Sequence, residues 1–184
     1  MSTVLTQAAT TWQVDPTHSH VEFSVRHLMI ATAKGRFAEL TGTLTGDDSN
    51  PEHAAIELTI PAASIDTREP QRDAHLRSAD FFDADQHPQI RFRSTRVSRV
   101  RDDIFDVDGD LTIRGITRPV ALTVHRGGHA RDPWGNERVA YSTTTKISRK
   151  DFGLNWNQVL ETGGVVVGDE VTVSIDLEFV RASN

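Results

Sequence analysis

Asp15, His18, Ser19 and His20 bring together, within six positions, side chains able to hold a metal ion or move a proton. On an extended segment His18 and His20 share one face, as a pair of metal ligands would, and His27 or His75 could join them in space. The sequence offers no HExxH helix, no cysteine and no carboxylate at ligand spacing. No metal is therefore expected, and the histidines are read as hydrogen-bonding groups at a turn or strand end. Ser19, His18 and Asp15 are also the ingredients of a nucleophilic triad. No GxSxG elbow surrounds the serine, however, and adjacent residues of a strand point to opposite faces, so Ser19 and His18 should not meet. No catalytic residue is assigned. Further along, Arg72 and His75 are candidate headgroup contacts, because an arginine fork fits phosphate oxygens. The favoured alternative is that Arg72 and Asp73 tie a helix to the barrel rim through charge-assisted hydrogen bonds.

These groups have to be positioned by strands, because the dominant pattern is period-two alternation. Val21, Phe23 and Val25 share a face, as do Ile56, Leu58 and Ile60, and Val120, Leu122 and Val124. The run Val171 to Phe179 places five apolar residues on one side. Turn residues separate the runs at 46–51, 101–103, 127–128, 132–136 and 168–169. Strands are predicted over 12–14, 20–28, 35–45, 54–61, 88–97, 104–114, 118–129, 138–149 and 170–181, with connections mostly too short for crossover helices. Eight or nine antiparallel strands suit an all-β, single closed barrel, which leaves no exposed edge. One segment departs from alternation. Residues 68–83 carry helix formers behind Pro70 and predict a short helical insertion, with Leu76, Phe81 and Phe82 over one end of the barrel.

Composition narrows the function classes. A net charge of −6 with no dense basic run argues against nucleic acid as a partner. With no cysteine, thiol chemistry and disulfides are excluded and the fold must rest on packing. No stretch of 18 apolar residues predicts a spanning helix. Residues 1–11 have neither the basic nor the apolar region of a secretion signal, so they are expected to be a flexible tail before a single domain at 12–182, in a cytoplasmic protein.

Several segments, taken in order, resemble the YceI-like family. They are Trp12-Gln13-Val14-Asp15-Pro16-Thr17-His18-Ser19-His20-Val21-Glu22-Phe23, Gly35-Arg36-Phe37, and Arg72-Asp73-Ala74-His75-Leu76-Arg77-Ser78-Ala79-Asp80-Phe81-Phe82. Pro88-Gln89-Ile90-Arg91-Phe92, Gly109-Asp110-Leu111-Thr112-Ile113-Arg114-Gly115 and Ile147-Ser148-Arg149-Lys150-Asp151-Phe152-Gly153 complete the set. The resemblance implies a lipocalin-like barrel holding a polyisoprenoid chain inside it. It further implies noncatalytic storage or transport of a long polyisoprenoid or prenyl-quinone lipid, with no cofactor required, and it allows a homodimer. Two alternatives are an enzyme acting on such a lipid through rim histidines and a filled barrel serving as an interaction module.

The expected ligand-binding residues of the interior are Phe23, Val25, His27, Phe37, Phe92, Phe105 and Leu111. At the mouth they are Leu76, Phe81, Phe82, Trp156 and Leu160, the last two in a loop ending at Gly163-Gly164. Small residues at Gly42, Gly109 and Thr143 are expected to leave a narrow channel. Strands of about ten residues at ~3.3 Å each, tilted by about 40°, give a barrel roughly 25 Å long, which suits a slender chain.

Overall fold

The computed structural model describes residues 9–46 and 50–183. Residues 1–8 of the expected tail and residues 47–49 of the expected turn lie outside the described residues. The strands are β1 (Thr10–Val14), β2 (His20–His27), β3 (Ala31–Phe37), β4 (Thr41–Gly46), β5 (Ala55–Pro61) and the two-residue β6 (Ile65–Asp66). After the helix α1 (Pro70–Arg77) come β7 (Gln89–Arg101), β8 (Ile104–Ile113), β9 (Ile116–Arg131), β10 (Glu137–Ser148) and β11 (Val167–Arg181). Neighbouring strands pair antiparallel in the order β1-β4-β5-β7-β8-β9-β10-β11, and β1 pairs with β11 to close the ring. The fold is thus a closed eight-stranded antiparallel barrel with one helix.

The first and last strands share an edge in an uneven way. Val14 pairs with Phe179 and Trp12 with Arg181, whereas β2 takes the lower part of β11, from His20 opposite Asp176 to Val25 opposite Val171. The chain crosses from one partner to the other at residues 15–19. β2, β3 and β6 then form a flange off β11 that leads into α1.

Four assignments differ from the sequence reading. The run 35–45 is two strands, because the chain turns at residues 38–40 with Leu40 buried. β3 starts at Ala31, across a turn in which Leu28 (φ 51°) and Met29 (φ 62°) adopt left-handed conformations that the sequence does not advertise. Gly127-Gly128, expected as a turn, is a bulge inside β9: Arg126 pairs with Tyr141 and Gly128 with Ala140, leaving Gly127 as the extra residue. Finally, Thr10 and Thr11, assigned to the tail, open β1 opposite Gly46 and Thr45.

Alternation puts large apolar residues inside. Phe179, Val107, Phe152 and Ile65 are the largest fully buried side chains. Helix α1 begins where Pro70 supplies a preset φ, and the Glu69 carboxylate caps it by accepting from the N–H groups of Gln71 and Arg72. Arg72 and Asp73 form charge-assisted bonds as expected, but to Thr67 in the link between β6 and α1 and not to the barrel rim. Asp73, buried, accepts from the Thr67 N–H at 2.9 Å and the Thr67 hydroxyl at 2.5 Å, while Arg72 donates to the Thr67 hydroxyl at 2.8 Å and carbonyl at 2.9 Å.

Glycines on the inner face act as seats for neighbouring rings. A Cβ at Gly35 would collide with the Phe23 ring, one at Gly109 with Phe92, and one at Gly42 with Leu58. These positions therefore do not open the channel by themselves, contrary to the sequence expectation; they let the facing side chains lie flat on the wall. Gly109→Val should displace Phe92 and cost about 1–3 kcal/mol, the range for overpacking a filled site. A denaturant midpoint equal to that of the parent protein would contradict this assignment.

Candidate functional site

The barrel encloses a cavity of about 620 Å³, inside the roughly 300–1,000 Å³ range of sites for small organic ligands. Its wall comes from the inward positions of every strand of the closed ring. One end is shut by a floor. Leu76, Phe81 and Phe82 from α1 and the segment behind it meet Phe152 and Leu154, with Ile90 and Ile113 beneath them. The floor is held by arginines that donate to backbone carbonyls. Arg77 reaches Ala63 and Ile65, and Arg114 reaches Ala79 and Gly153 at 2.8 and 2.9 Å.

Arg149 is the most deeply placed of these, 5% exposed. The inward register of Val139, Tyr141, Thr143, Thr145 and Ile147 on β10 continues to it. Its guanidinium donates to the carbonyls of Gly168 (2.8 Å), Leu154 (2.6 Å), Trp156 (2.9 Å) and Val167 (3.3 Å). One side chain thereby fastens both ends of the loop at 153–166 to the barrel. Gly153, at φ 74°, makes the turn into that loop.

The opposite end of the cavity is polar. Arg99 and Arg126 lie 5.6 and 6.0 Å from the centroid of the Phe105 ring, His129 meets the Trp12 ring edge-on at 6.1 Å, and Arg181 pairs with Glu137 at 2.6 Å. Arg126 also holds the Asp103 carboxylate at 3.0 Å. All of these except Asp103 line the cavity. The bulge at Gly127 keeps β9 in inward register across Arg126 and His129.

Of the expected ligand-binding residues, Phe23, Val25, Phe37, Phe92, Phe105 and Leu111 line the cavity wall, whereas Leu76, Phe81 and Phe82, expected at the mouth, line its closed floor. His27, Trp156, Leu160, Arg72 and His75 do not line the cavity. His27 is exposed at the end of β2, opposite Ala31 and Val167, and does not line the cavity. Trp156 packs behind the floor, 5.3 Å from Phe81 and 4.7 Å from His75, and borders a shallow outer groove with Asp80, Arg114 and Asn155. Leu160 sits in a tight turn of the 153–166 loop, bonded through its N–H to Gly164. Arg72 is committed to Thr67, and His75 to Asp80 at 2.8 Å, both away from the cavity. Thr143 does face inward, with its hydroxyl spent on the Thr123 carbonyl at 2.8 Å.

The amino-terminal histidines do not converge with His75. His20 and His27 stand at opposite ends of β2, and His18 turns to Asp15 at 2.9 Å. Ser19 is buried and clamps the backbone of Glu178, accepting from its N–H at 2.9 Å and donating to its carbonyl at 3.3 Å. Asp15, His18 and Glu178 lie close enough to hold a cation, and the place is taken by Arg138, 2.7 Å from Asp15 and 2.5 Å from Glu178. Arg138 also reaches Asp132 at 2.8 Å, so one guanidinium joins the end of β1, the β9–β10 turn and β11.

This cluster contributes to the acid behaviour of the fold. Burial opposes ionisation of Asp15, but hydrogen bonds from Thr17, His18 and Arg138 outweigh it and hold the carboxyl well below the usual range. Asp132 is lowered by bonds from Asn136 and, against some burial, from Arg138. A depressed carboxyl stabilises the fold above its unfolded pKa, ~3.9 for aspartate, and that contribution is lost as pH falls from there towards the folded value. Melting temperature should therefore drop steeply below about pH 4. Arg138→Gln should lower it at pH 7 and flatten the acid limb; parallel curves for the two proteins from pH 7 to 2.5 would show that Arg138 has no part in it.

Comparison with known proteins agrees with this geometry. The family profile described as "YceI-like domain" matches residues 12–179. Protein YceI of Escherichia coli O17:K52:H18 is 41% identical over 137 residues, covering 74% of this chain and 71% of that protein. The chain belongs to the YceI-like family. Among solved structures, Burkholderia cenocepacia BcnA matches with a TM-score of 0.77 at 23% identity, over 90% of this chain and 98% of that one. A polyisoprenoid binding domain from Saccharophagus degradans, implicated in plant cell wall breakdown, matches with a TM-score of 0.71 at 17% identity, over 94% of this chain and 99% of that one. At these identities both show that the YceI-like fold is shared. Among the described residues, no helix is long and apolar enough to cross a membrane.

Proposed function

We propose that this protein binds the prenyl tail of a long isoprenoid lipid inside its barrel, without catalysis, and so stores or carries it. One observation supports this most directly: apart from Arg149 near the floor and a few hydroxyls of β10, the cavity is lined by apolar side chains from a closed floor at Phe81 and Phe152 up to the level of Trp12 and Phe105, and further charged groups gather beyond that level. Such a tube suits a linear hydrocarbon with a polar end better than a compact or uniformly polar ligand. The neighbour from Saccharophagus degradans is named as a polyisoprenoid binding domain, which fits the same reading.

Burial of a forty-carbon chain at ~0.8 kcal/mol per carbon group would sum to about 30 kcal/mol, above the ceiling near 20 kcal/mol for noncovalent binding. Ordering of the tail must offset much of that gain. Affinity for a series of prenyl alcohols should accordingly rise with chain length and then level off once the tail fills the tube. Native mass spectrometry of gently purified protein, followed by titration with the series, tests this. If no lipid copurifies and no member of the series binds, the proposal fails.

A further inference from the structure

We infer that Phe81 sets the longest tail the barrel accepts, as a fixed stop between the cavity and the shallow groove outside it. This rests on the reading of the cavity as a prenyl-tail site. A tail threaded from the polar end grows towards the floor. Each added carbon group gains contact only until the chain end meets a side chain that cannot give way. The residue in that place decides which chain lengths are told apart.

The floor is thin. Phe81 lines the cavity, while Ala79 and Asp80, just before it in the chain, border the outer groove. On the facing segment Phe152 and Leu154 line the cavity, while Gly153 and Asn155 border the groove. Inside and outside are thus one residue apart along both segments. Arg114 bolts the two together, donating to the Ala79 carbonyl at 2.8 Å and to the Gly153 carbonyl at 2.9 Å.

Phe81 is singled out by what stands behind its ring. Phe82 leans on Phe37 at 5.9 Å, and Phe37 on Phe23 at 5.7 Å, and all three line the cavity, so trimming Phe82 would enlarge the space towards its own wall. The Phe81 ring, 5% exposed, instead backs onto Trp156 at 5.3 Å and meets His75 edge-on at 5.1 Å. Trp156 borders the groove, so trimming Phe81 leads from the cavity towards the outside. His75 is fixed by Asp80 at 2.8 Å and stands 4.7 Å from Trp156. Close packing against these two rings holds Phe81 as a wall and not as a flap.

The experiment titrates prenyl alcohols of increasing length on the parent protein and on Phe81→Ala and Phe81→Leu variants, with melting temperature as the check on folding. The parent should bind the alcohol at its plateau and the next longer one alike. In Phe81→Ala the longer of the two should bind about tenfold more tightly than the shorter, because its added isoprene unit finds apolar room. Phe81→Leu should move the plateau the same way by less, and it keeps most of the floor filled should the alanine variant be unstable. Alcohols too short to reach the floor should bind all three proteins equally. Trp156→Ala should leave the plateau in place, since the stop in front of it remains. A plateau at the parental length in whichever Phe81 variants are folded overturns the inference. An equal loss of affinity at every length does so too, since it assigns Phe81 a role in folding alone. A plateau that moves only in Trp156→Ala also overturns it and puts the stop one layer further out. Absence of binding by the parent at every length sinks the tail reading itself, and this inference with it.

Discussion

Arg149→Met should destabilise the fold by about 3 kcal/mol, although methionine keeps an unbranched apolar stem and removes a buried charge. The reason is what the guanidinium leaves behind. The carbonyls of Leu154, Trp156 and Gly168 accept from this side chain at 2.6–2.9 Å, and that of Val167 accepts from it at 3.3 Å while also accepting from the Asn157 amide at 2.7 Å. Burial pushes the Arg149 pKa down, against some support from Asp169, but the ordinary arginine value is so high that the group stays charged at neutral pH. Removing it leaves polar oxygens facing a thioether, each unsatisfied acceptor costing about 1–3 kcal/mol before the loop relaxes. For a chain of this size the loss corresponds to a drop of roughly 6–12 °C in melting temperature. Arg149→Lys should not restore it, since an ammonium presents three donors from one point and cannot reach carbonyls spread around a planar fork. Hydrogen exchange should report faster opening of residues 153–168 in both variants. A melting temperature within about two degrees of the parent would show that the loop is fastened by something else.

Leu122→Trp should abolish prenyl binding, lowering affinity by at least about tenfold. Leu122 lines the cavity midway along β9 and packs beside Val97, Phe105 and Val107. An indole directed into this tube occupies space that the tail needs, so a ligand entering from the charged end would stop short of the floor. Part of the indole should rest in open volume, so the stability cost should stay at the low end of the roughly 1–3 kcal/mol typical of overpacking. Loss of binding with the melting temperature nearly kept is the expected pair of results. Full binding of long prenyl alcohols by this variant would mean that the tail lies elsewhere.

The barrel itself is largely legible in the sequence because a wall with one dry face writes a two-residue period into each strand, as in Val171 to Phe179. Residues 70–77 are legible as a helix because Pro70 and the loss of alternation mark them. What escapes is whatever depends on partners distant in the chain. The break between β3 and β4 needs the corner at 38–40, and nothing local distinguishes that corner from a strand. The glycine seats at Gly35 and Gly109 look like gaps until the facing phenylalanines are placed on them. For His27, Trp156 and Leu160, position near the expected ends of the cavity says little about the direction in which each side chain points.

The inward arginines carry a signal that is present in the sequence. Counting in twos from Val120, Leu122 and Val124 reaches Arg126; from Val139 it reaches Arg149; from Val171 it reaches Arg181. Apolar residues define the face so strongly that a cation at the end of the run reads as solvent-exposed, and these three are instead where the tube acquires its polar ends. Arg72 and His75 attract a headgroup assignment because they are clustered in sequence. Their partners, Thr67 and Asp80, are equally local, and those partners occupy them.

The uneven sharing of β11 has a consequence for biosynthesis. Ser19 bonds to Glu178 across 159 positions of chain, and β1, β2 and β10 all find their partner in the last strand. Until β11 leaves the ribosome, the wall assembled by β1, β4, β5 and β7 to β10 is a curved sheet with raw edges at β1 and β10. Closure is therefore a late event with a long loop to bring together, the kind of topology that folds slowly and exposes sticky intermediates.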